Sequence, residues 1–138
     1  MTSLPPSIPD AGVHLALGIS VVTATPDRVV VSVPVTSTVH QPFGILHGGV
    51  SALLAESAAS IGGSISVPDG KVIVGTELNC SHLRSMTSGT LTATATPIRK
   101  GRTIQVWGIN LTDEQGRQIC VARCSLAVID PPTSSSRS

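Results

Sequence analysis

Apolar and polar positions first organise at Gly18 to Ala24, a β-branched run, and at Arg28 to Val35, where Val29, Val31, Val33 and Val35 fall on one face. Both segments predict strands. Pro34 has no amide proton to give to a ladder, which places the end of the second strand at an edge or a bulge. From about Gly48 to Ile61 the period changes. Val50, Leu53, Leu54, Ser57, Ala58 and Ile61 recur at helical spacing, and Gly62-Gly63 predicts a stop. The opposite face, Ser51, Ala52, Ala55, Ala59 and Ser60, is scarcely more polar. The pattern therefore predicts a helix buried nearly all round.

Pro68-Asp69-Gly70 signals a turn, and from there the period is two. Lys71 to Leu83, Gly89 to Ile98, Thr103 to Thr112 and Arg117 to Ile129 are expected as four long strands. Arg99-Lys100-Gly101 and Asp113-Glu114-Gln115-Gly116 supply hairpin turns. Short connections of this kind predict an antiparallel meander. One buried helix and about six strands make an α+β domain whose sheet curls around the helix. The Pro- and Ser-rich start is expected to be a flexible arm over residues 1–12, and the PPTSSSRS ending a disordered tail over 131–138. The domain then occupies 13–130.

Composition narrows the class. The 138 residues suffice for one domain with its own core. Apolar residues make up 41% and charged residues 12%, which excludes a charge-swollen disordered chain. So few charges also imply that another subunit covers part of the surface. A net charge of +1 offers no field for nucleic acid or a membrane. One Phe, one Trp and no Tyr leave no stacking platform for single-stranded nucleic acid. The start has no basic n-region or apolar h-region, and no apolar run reaches the roughly 20 residues of a membrane span, so a cytoplasmic protein is expected. Cys80, Cys120 and Cys124 lie in strand-like segments and are expected as buried free thiols; no paired C-x-x-C spacing points to a metal.

Against this background Glu56 stands out. No other Asp, Glu, Lys or Arg occurs between Val29 and Pro68. Its helical neighbours at three and four residues are Leu53, Ala59, Ala52 and Ser60, none of them basic. Two readings follow. Glu56 faces solvent on a one-sided helix, or it opens onto a pocket where its environment is part of the chemistry. Ser60 lies one turn later on the same face. At the helix start, His47-Gly48-Gly49 allows close approach to backbone N–H groups that suit a developing oxyanion, although a satisfied histidine and two packing glycines would look the same.

These residues carry a family resemblance. Gln41-Pro42-Phe43-Gly44-Ile45-Leu46-His47-Gly48-Gly49, then Glu56 and Ser60, resembles the hotdog-fold acyl-CoA thioesterases that place a glutamate on the central helix. Val74-Gly75-Thr76-Glu77-Leu78-Asn79, His82-Leu83-Arg84-Ser85 and Gln105-Val106-Trp107 continue the match, which covers roughly residues 14 to 130. It is most similar to the branch that includes the 1,4-dihydroxy-2-naphthoyl-CoA thioesterase of menaquinone synthesis and the enterobactin proofreading thioesterase. The resemblance implies a hotdog fold, a curved antiparallel sheet of about six strands around one long central helix.

It also implies roles. Glu56 would attack the thioester or activate a water; Gly48 N–H would polarise the carbonyl, with Gln41 and His47 beside it; Ser60 would place the water or the carboxylate. His82 and Gly49 would contact the acyl group, and Arg84, Ser85, Lys100, Gly101 and Arg102 would hold CoA, although exposed hairpin residues are an equally plain account of that last set. The implied substrate is an acyl-CoA, with an acyl- or aryl-carrier protein as the other thiol carrier. No cofactor is needed and no metal is implied. The chain departs from its branch in having almost no aromatic residue to stack on an aryl group.

Helix geometry adds one inference. Gly48 and Glu56 are eight residues apart, so their backbones are about 12 Å apart along one helix at 1.5 Å per residue. One thioester cannot easily touch both within about 3.5 Å. Gly48, His47 and Gln41 of one chain are expected to work with Glu56 and Ser60 of another, in a dimer that the resemblance extends to a tetramer. Three alternatives remain: a binding module without hydrolysis, a broad-specificity housekeeping thioesterase, and a hotdog hydratase, the last lacking its Asp and His pair.

Overall fold

The valine alternation of Arg28–Pro34 becomes an inner strand of one sheet. In the computed structural model, which describes residues 12–132, the chain runs α1 (Val13–Leu17), β1 (Ser20–Thr25), β2 (Arg28–Pro34), α2 (Gly48–Ser66), β3 (Val72–His82), β4 (Thr90–Lys100), β5 (Ile104–Thr112) and β6 (Gln118–Ile129). The expected arm and tail fall almost wholly on residues 1–11 and 133–138, outside the described residues. The six strands form one antiparallel sheet in the order β1-β2-β4-β5-β6-β3. Helix α2 packs against every strand of it. This is the hotdog architecture that the resemblance implied. No helix among the described residues is long and apolar enough to cross a membrane.

Alternation decides which side chains reach α2. Val29, Val31, Val33, Leu91, Ala93, Ala95, Trp107, Ile109, Leu111, Cys120, Ala122, Cys124 and Leu126 form the buried face, with Leu54, Ala55, Ala58 and Ala59 of the helix pressed onto it. Small residues on both sides bring helix and sheet close together, and the bulk of Trp107 is accommodated by a helix position without a side chain. Pro34 pairs with Thr90 of β4, beyond the last β1–β2 pair at Ser20 and Ser32, so its missing donor interrupts no two-sided ladder.

The structure corrects several expectations. The helix does not stop at Gly62-Gly63 but continues to Ser66. A Cβ at Gly62 would stand 2.4 Å from Trp107 Cη2, and one at Gly63 2.5 Å from Leu126 Cδ1. These glycines serve close packing, which leaves the same local signal as a helix end. The core face of α2 is Ser51, Leu54, Ala55, Ala58, Ala59, Gly62 and Gly63, rotated from the expected stripe. Leu53, Ser57 and Ile61 are only half-buried, and Glu56 and Ser64 are exposed. Within one chain the helix is therefore buried on one face, and its other face is open.

Sheet order differs as well. β4, β5 and β6 form the expected meander, but β3 pairs with β6 at the far edge and not with β4. Period-two patterning identifies a strand without naming its neighbour, and α2 carries the chain across the sheet before β3 begins. The β4–β5 turn lies further along than expected, since β4 runs to Lys100 and Gly101 N–H donates to Ile104 O at 2.8 Å. A bulge between Pro97 and Arg99 lengthens the strand. The five-residue α1 was not anticipated at all.

Candidate active site

Two cavities divide the expected site residues. The first, of about 810 Å³, runs along the open face of α2 and is lined by His14, Gly49, Ala52, Leu53, Glu56, Ser57, Ser60, Ile61, Ser64, Ile65 and Leu78. The second, of about 410 Å³, lies at the start of α2 and is lined by Gln41, Ile45, Leu46, Gly48, Ser51, His82, Leu83, Arg84, Ser85 and Ile119. Glu56 and Ser60 thus share one cavity, while Gln41, Gly48, His82, Arg84 and Ser85 share the other.

Among the described residues Glu56 is the only Asp, Glu, Lys or Arg lining the first groove, whose walls are otherwise aliphatic side chains, serines and one imidazole. It is exposed in the single chain, on a helix that the pattern predicts to be buried nearly all round. Any desolvation penalty for its charge therefore arises only when something covers the groove. Strand β3 shapes the near wall. Its register shifts between Gly75 and Glu77, and the Thr76 hydroxyl donates to Ser125 O at 3.1 Å. Gly75 lies so near that a Cβ there would stand 3.0 Å from Glu56 Oε2. The bulge wraps the backbone around the carboxylate.

The helix start is ordered by His47, the N-cap of α2. Its Nδ1 accepts from Gly49 N–H at 2.8 Å, and its carbonyl accepts from Val50 N–H at 2.9 Å. An accepting Nδ1 puts the proton of the neutral ring on Nε2, which stays available as a donor. Gly48 N–H has no hydrogen-bond partner among the described residues. The His82 ring lies over it, with Cε1 and Nε2 each 3.1 Å from where a Gly48 Cβ would be. Gln41 precedes a tight turn in which Gln41 N–H donates to Ile45 O at 2.8 Å and Gly44 N–H to Gln41 O at 3.0 Å, with Gly44 at φ 81°. The Gln41 amide oxygen also accepts from Phe43 N–H. A free N–H at a helix N-terminus, flanked by an imidazole and a carboxamide, is suited to binding a carbonyl oxygen that becomes negative.

The expected CoA set is not brought together in one chain. Arg84 and Ser85 border the Gly48 cavity. Lys100, Gly101 and Arg102 sit at the opposite end of β4, an 11-residue strand that spans roughly 33 Å at 3.3 Å per residue. Lys100 is moreover engaged by Asp27 Oδ1 at 2.9 Å and Pro26 O at 3.0 Å. Cys120 and Cys124 are buried, as expected, whereas Cys80 is only half-buried. Burial pushes the Cys120 thiol up to about 11, helped by Cys80 beside it, and Cys124 up to about 11, helped by the field of Glu56.

Sequence reasoning missed the outer wall of the Glu56 groove. His14 of α1 reaches Ser57 with Nε2 2.7 Å from Oγ, and both line the groove. The available signal was a serine directly after the lone carboxylate and a histidine at the edge of the domain.

Comparison with known proteins identifies the family. The family model described as "Thioesterase superfamily" matches residues 43–120. The chain is 46% identical over 117 residues to the 1,4-dihydroxy-2-naphthoyl-CoA hydrolase of Listeria monocytogenes, covering 85% of this chain and 95% of that protein. It is 42% identical over 113 residues to the proofreading thioesterase EntH of Cronobacter turicensis, covering 82% of each. Among solved structures, a thioesterase of Haemophilus influenzae superposes with a TM-score of 0.83 at 43% identity, covering 88% of this chain and 85% of the other.

Proposed function

Because this chain belongs to the thioesterase superfamily and is a thioester hydrolase, we propose that it cleaves aromatic acyl-CoA thioesters, with Glu56 as the catalytic carboxylate in a site shared by two copies. The observation that carries this reading is Glu56 itself, the single carboxylate among the described residues that line the groove along α2. The carboxylate, or a water it deprotonates, forms a C–O bond to the thioester carbon. The carbonyl oxygen takes up negative charge and is met by Gly48 N–H, with Gln41 and His82 beside it. Collapse of that intermediate breaks the C–S bond and the thiolate leaves as CoA with a proton. Where water is the nucleophile the free acid forms in this step; where Glu56 is the nucleophile, a water then cleaves the acyl-glutamate anhydride, giving the free acid and restoring the carboxylate. Ser60, one turn from Glu56, orients the carboxylate or the water.

The two cavities support a shared site. Glu56 and Gly48 are about 12 Å apart along one helix, which favours donors supplied by a second copy. The free edge of β3 is suited to receive it, since β3 is 11 residues long, pairs only with β6, and lies beside Glu56. Arg84 and Ser85 would then hold CoA beside the Gly48 cavity, and Lys100, Gly101 and Arg102 would serve the same CoA only from another copy. The resemblance extends this to a dimer of dimers. The name of the Listeria relative supports 1,4-dihydroxy-2-naphthoyl-CoA, and hence a place in menaquinone biosynthesis; a hydroxybenzoyl-CoA-like thioester is the other aromatic candidate. A broad-specificity thioesterase is the second reading, favoured because no Phe, Tyr or Trp among the described residues lines the groove of one chain.

Release of free thiol from 1,4-dihydroxy-2-naphthoyl-, 4-hydroxybenzoyl-, phenylacetyl-, hexanoyl- and palmitoyl-CoA tests the reading, run beside Glu56→Ala. Preference for an aromatic member and a loss of about 10³ or more in the variant are expected. A flat profile selects the second reading. Turnover unaffected by Glu56→Ala overturns the assignment of the carboxylate.

A further inference from the structure

His14 and Ser57 form a polar pair in a place where packing alone would favour aliphatic side chains. The imidazole Nε2 lies 2.7 Å from Ser57 Oγ. Around them the groove presents Ala52, Leu53, Ile61, Ile65 and Leu78. Short α1 has no fully buried residue: Val13 and Leu15 are 46% and 53% exposed, and Leu17 packs against the core. It is stopped by Gly18 in the left-handed region at φ 75°, and Ile19 N–H bonds back to His14 O at 2.9 Å. The turn thus fixes the backbone that delivers the imidazole.

Glu56 and Ser57 are successive on α2 and point about 100° apart around it. Ser60 lies between them, roughly 40° from Glu56 by the same geometry. The groove floor is therefore the helix face from Glu56 round to Ser57, with β3 walling the carboxylate side and α1 the serine side. An acyl group whose carbonyl meets Glu56 has His14 and Ser57 within the same groove. The Ser57 hydroxyl has one proton and two lone pairs, and its bond to His14 uses one of these. At least one hydrogen-bonding position remains for a ligand, in a groove whose other polar side chains are Glu56, Ser60 and Ser64. Among the described residues no Phe, Tyr or Trp lines the groove to hold an acyl group by stacking.

We propose that His14 and Ser57 are specificity-determining residues that recognise a hydroxyl carried by the acyl group, so that the substrates are hydroxylated acyl thioesters. This rests on the reading of the Glu56 groove as the acyl site. A groove built to hydrogen-bond a hydroxyl discriminates against the analogue that lacks it, because its own polar groups are then left without partners.

The test compares benzoyl-CoA with 2-, 3- and 4-hydroxybenzoyl-CoA in the full chain. At least one hydroxylated thioester is expected to exceed benzoyl-CoA by about tenfold or more in kcat/KM. In His14→Phe and Ser57→Ala that ratio falls to within about threefold of one, and in Ser57→Thr, which keeps the hydroxyl, it is retained. A latch that merely holds α1 to α2 would lower all four rates together and leave the ratio alone. A wild-type ratio near one, or a ratio preserved in both folded variants, overturns the proposal. Binding of non-hydrolysable thioether analogues with and without the ring hydroxyl gives the same ratio independently of turnover. Absent turnover of every thioester therefore counts against the hydrolytic reading, while the binding ratio still decides the role of the pair.

Discussion

Gly62 lies against Trp107 so closely that a Cβ at residue 62 would stand 2.4 Å from Cη2 and 2.7 Å from Cζ3 of the indole. Trp107 cannot swing away. It is fully buried, and its Nε1–H donates to Gln105 Oε1 at 2.9 Å. In an exposed helix Gly→Ala stabilises by about 1 kcal/mol. Here the added methyl meets a fixed ring, and overpacking of about 1–3 kcal/mol outweighs that gain. Gly62→Ala is expected to lower the urea midpoint, and Trp107→Leu in the same chain is expected to cost less than in the wild type. Equal stability of Gly62→Ala and wild type would contradict the packing account.

The cap at the other end of the same helix makes a separate prediction. His47 Nδ1 satisfies Gly49 N–H, so His47→Ala leaves that donor without its partner and should destabilise by about 0.5–2 kcal/mol. Asparagine can offer an oxygen from the same place, and His47→Asn should hold stability within a few tenths of a kcal/mol of the wild type. Denaturant titration of the three proteins checks this; equal loss in both variants would show that the imidazole acts through something other than the cap.

Asp113 gives the stability of the β5–β6 hairpin a pH dependence. Burial alone would push its carboxyl up, but the N–H of Arg117, the Arg117 guanidinium at 2.7 Å and the N–H of Gln115 together hold it below the usual carboxylate range. A folded pKa below the unfolded value of about 3.9 means the contribution is fully present above that value and is lost as pH falls through the folded one. The stability gap between wild type and Asp113→Asn should be constant from pH 7 to about pH 5 and should shrink below about pH 4. A gap that widens in acid would reverse the assignment.

Much of this fold was legible because alternation reports one-sided burial. Val29, Val31, Val33 and Val35 marked both a strand and its inner face, and all four are buried. Gly62 and Gly63 misled because a glycine chosen for lack of volume is indistinguishable, in one sequence, from a glycine chosen for a left-handed stop. The core face of α2 was misplaced for a related reason. Where Ala, Ser and Gly carry the packing, hydropathy varies little around the helix, and the deciding fact is how near the sheet comes. Partner choice of β3 lay outside any local pattern.

At the candidate site, the lone charge of Glu56 and the His-Gly-Gly entry were visible from spacing. The separation of Glu56 from Gly48 was too, because helical rise converts residue count into distance. His14 was not, since a five-residue helix repeats no period and its significance lies in a contact with residue 57.

The central claim is that Glu56 of one copy works with Gly48 and Gln41 of another, and complementation tests it most directly. Gln41→Ala and Glu56→Ala chains, each inactive alone, would be co-folded and the mixed dimers verified by native mass spectrometry. Random pairing makes about half the dimers mixed, each with one intact and one doubly altered site, so about a quarter of wild-type activity should return. Verified mixed dimers with no more activity than the two parents would contradict the shared site.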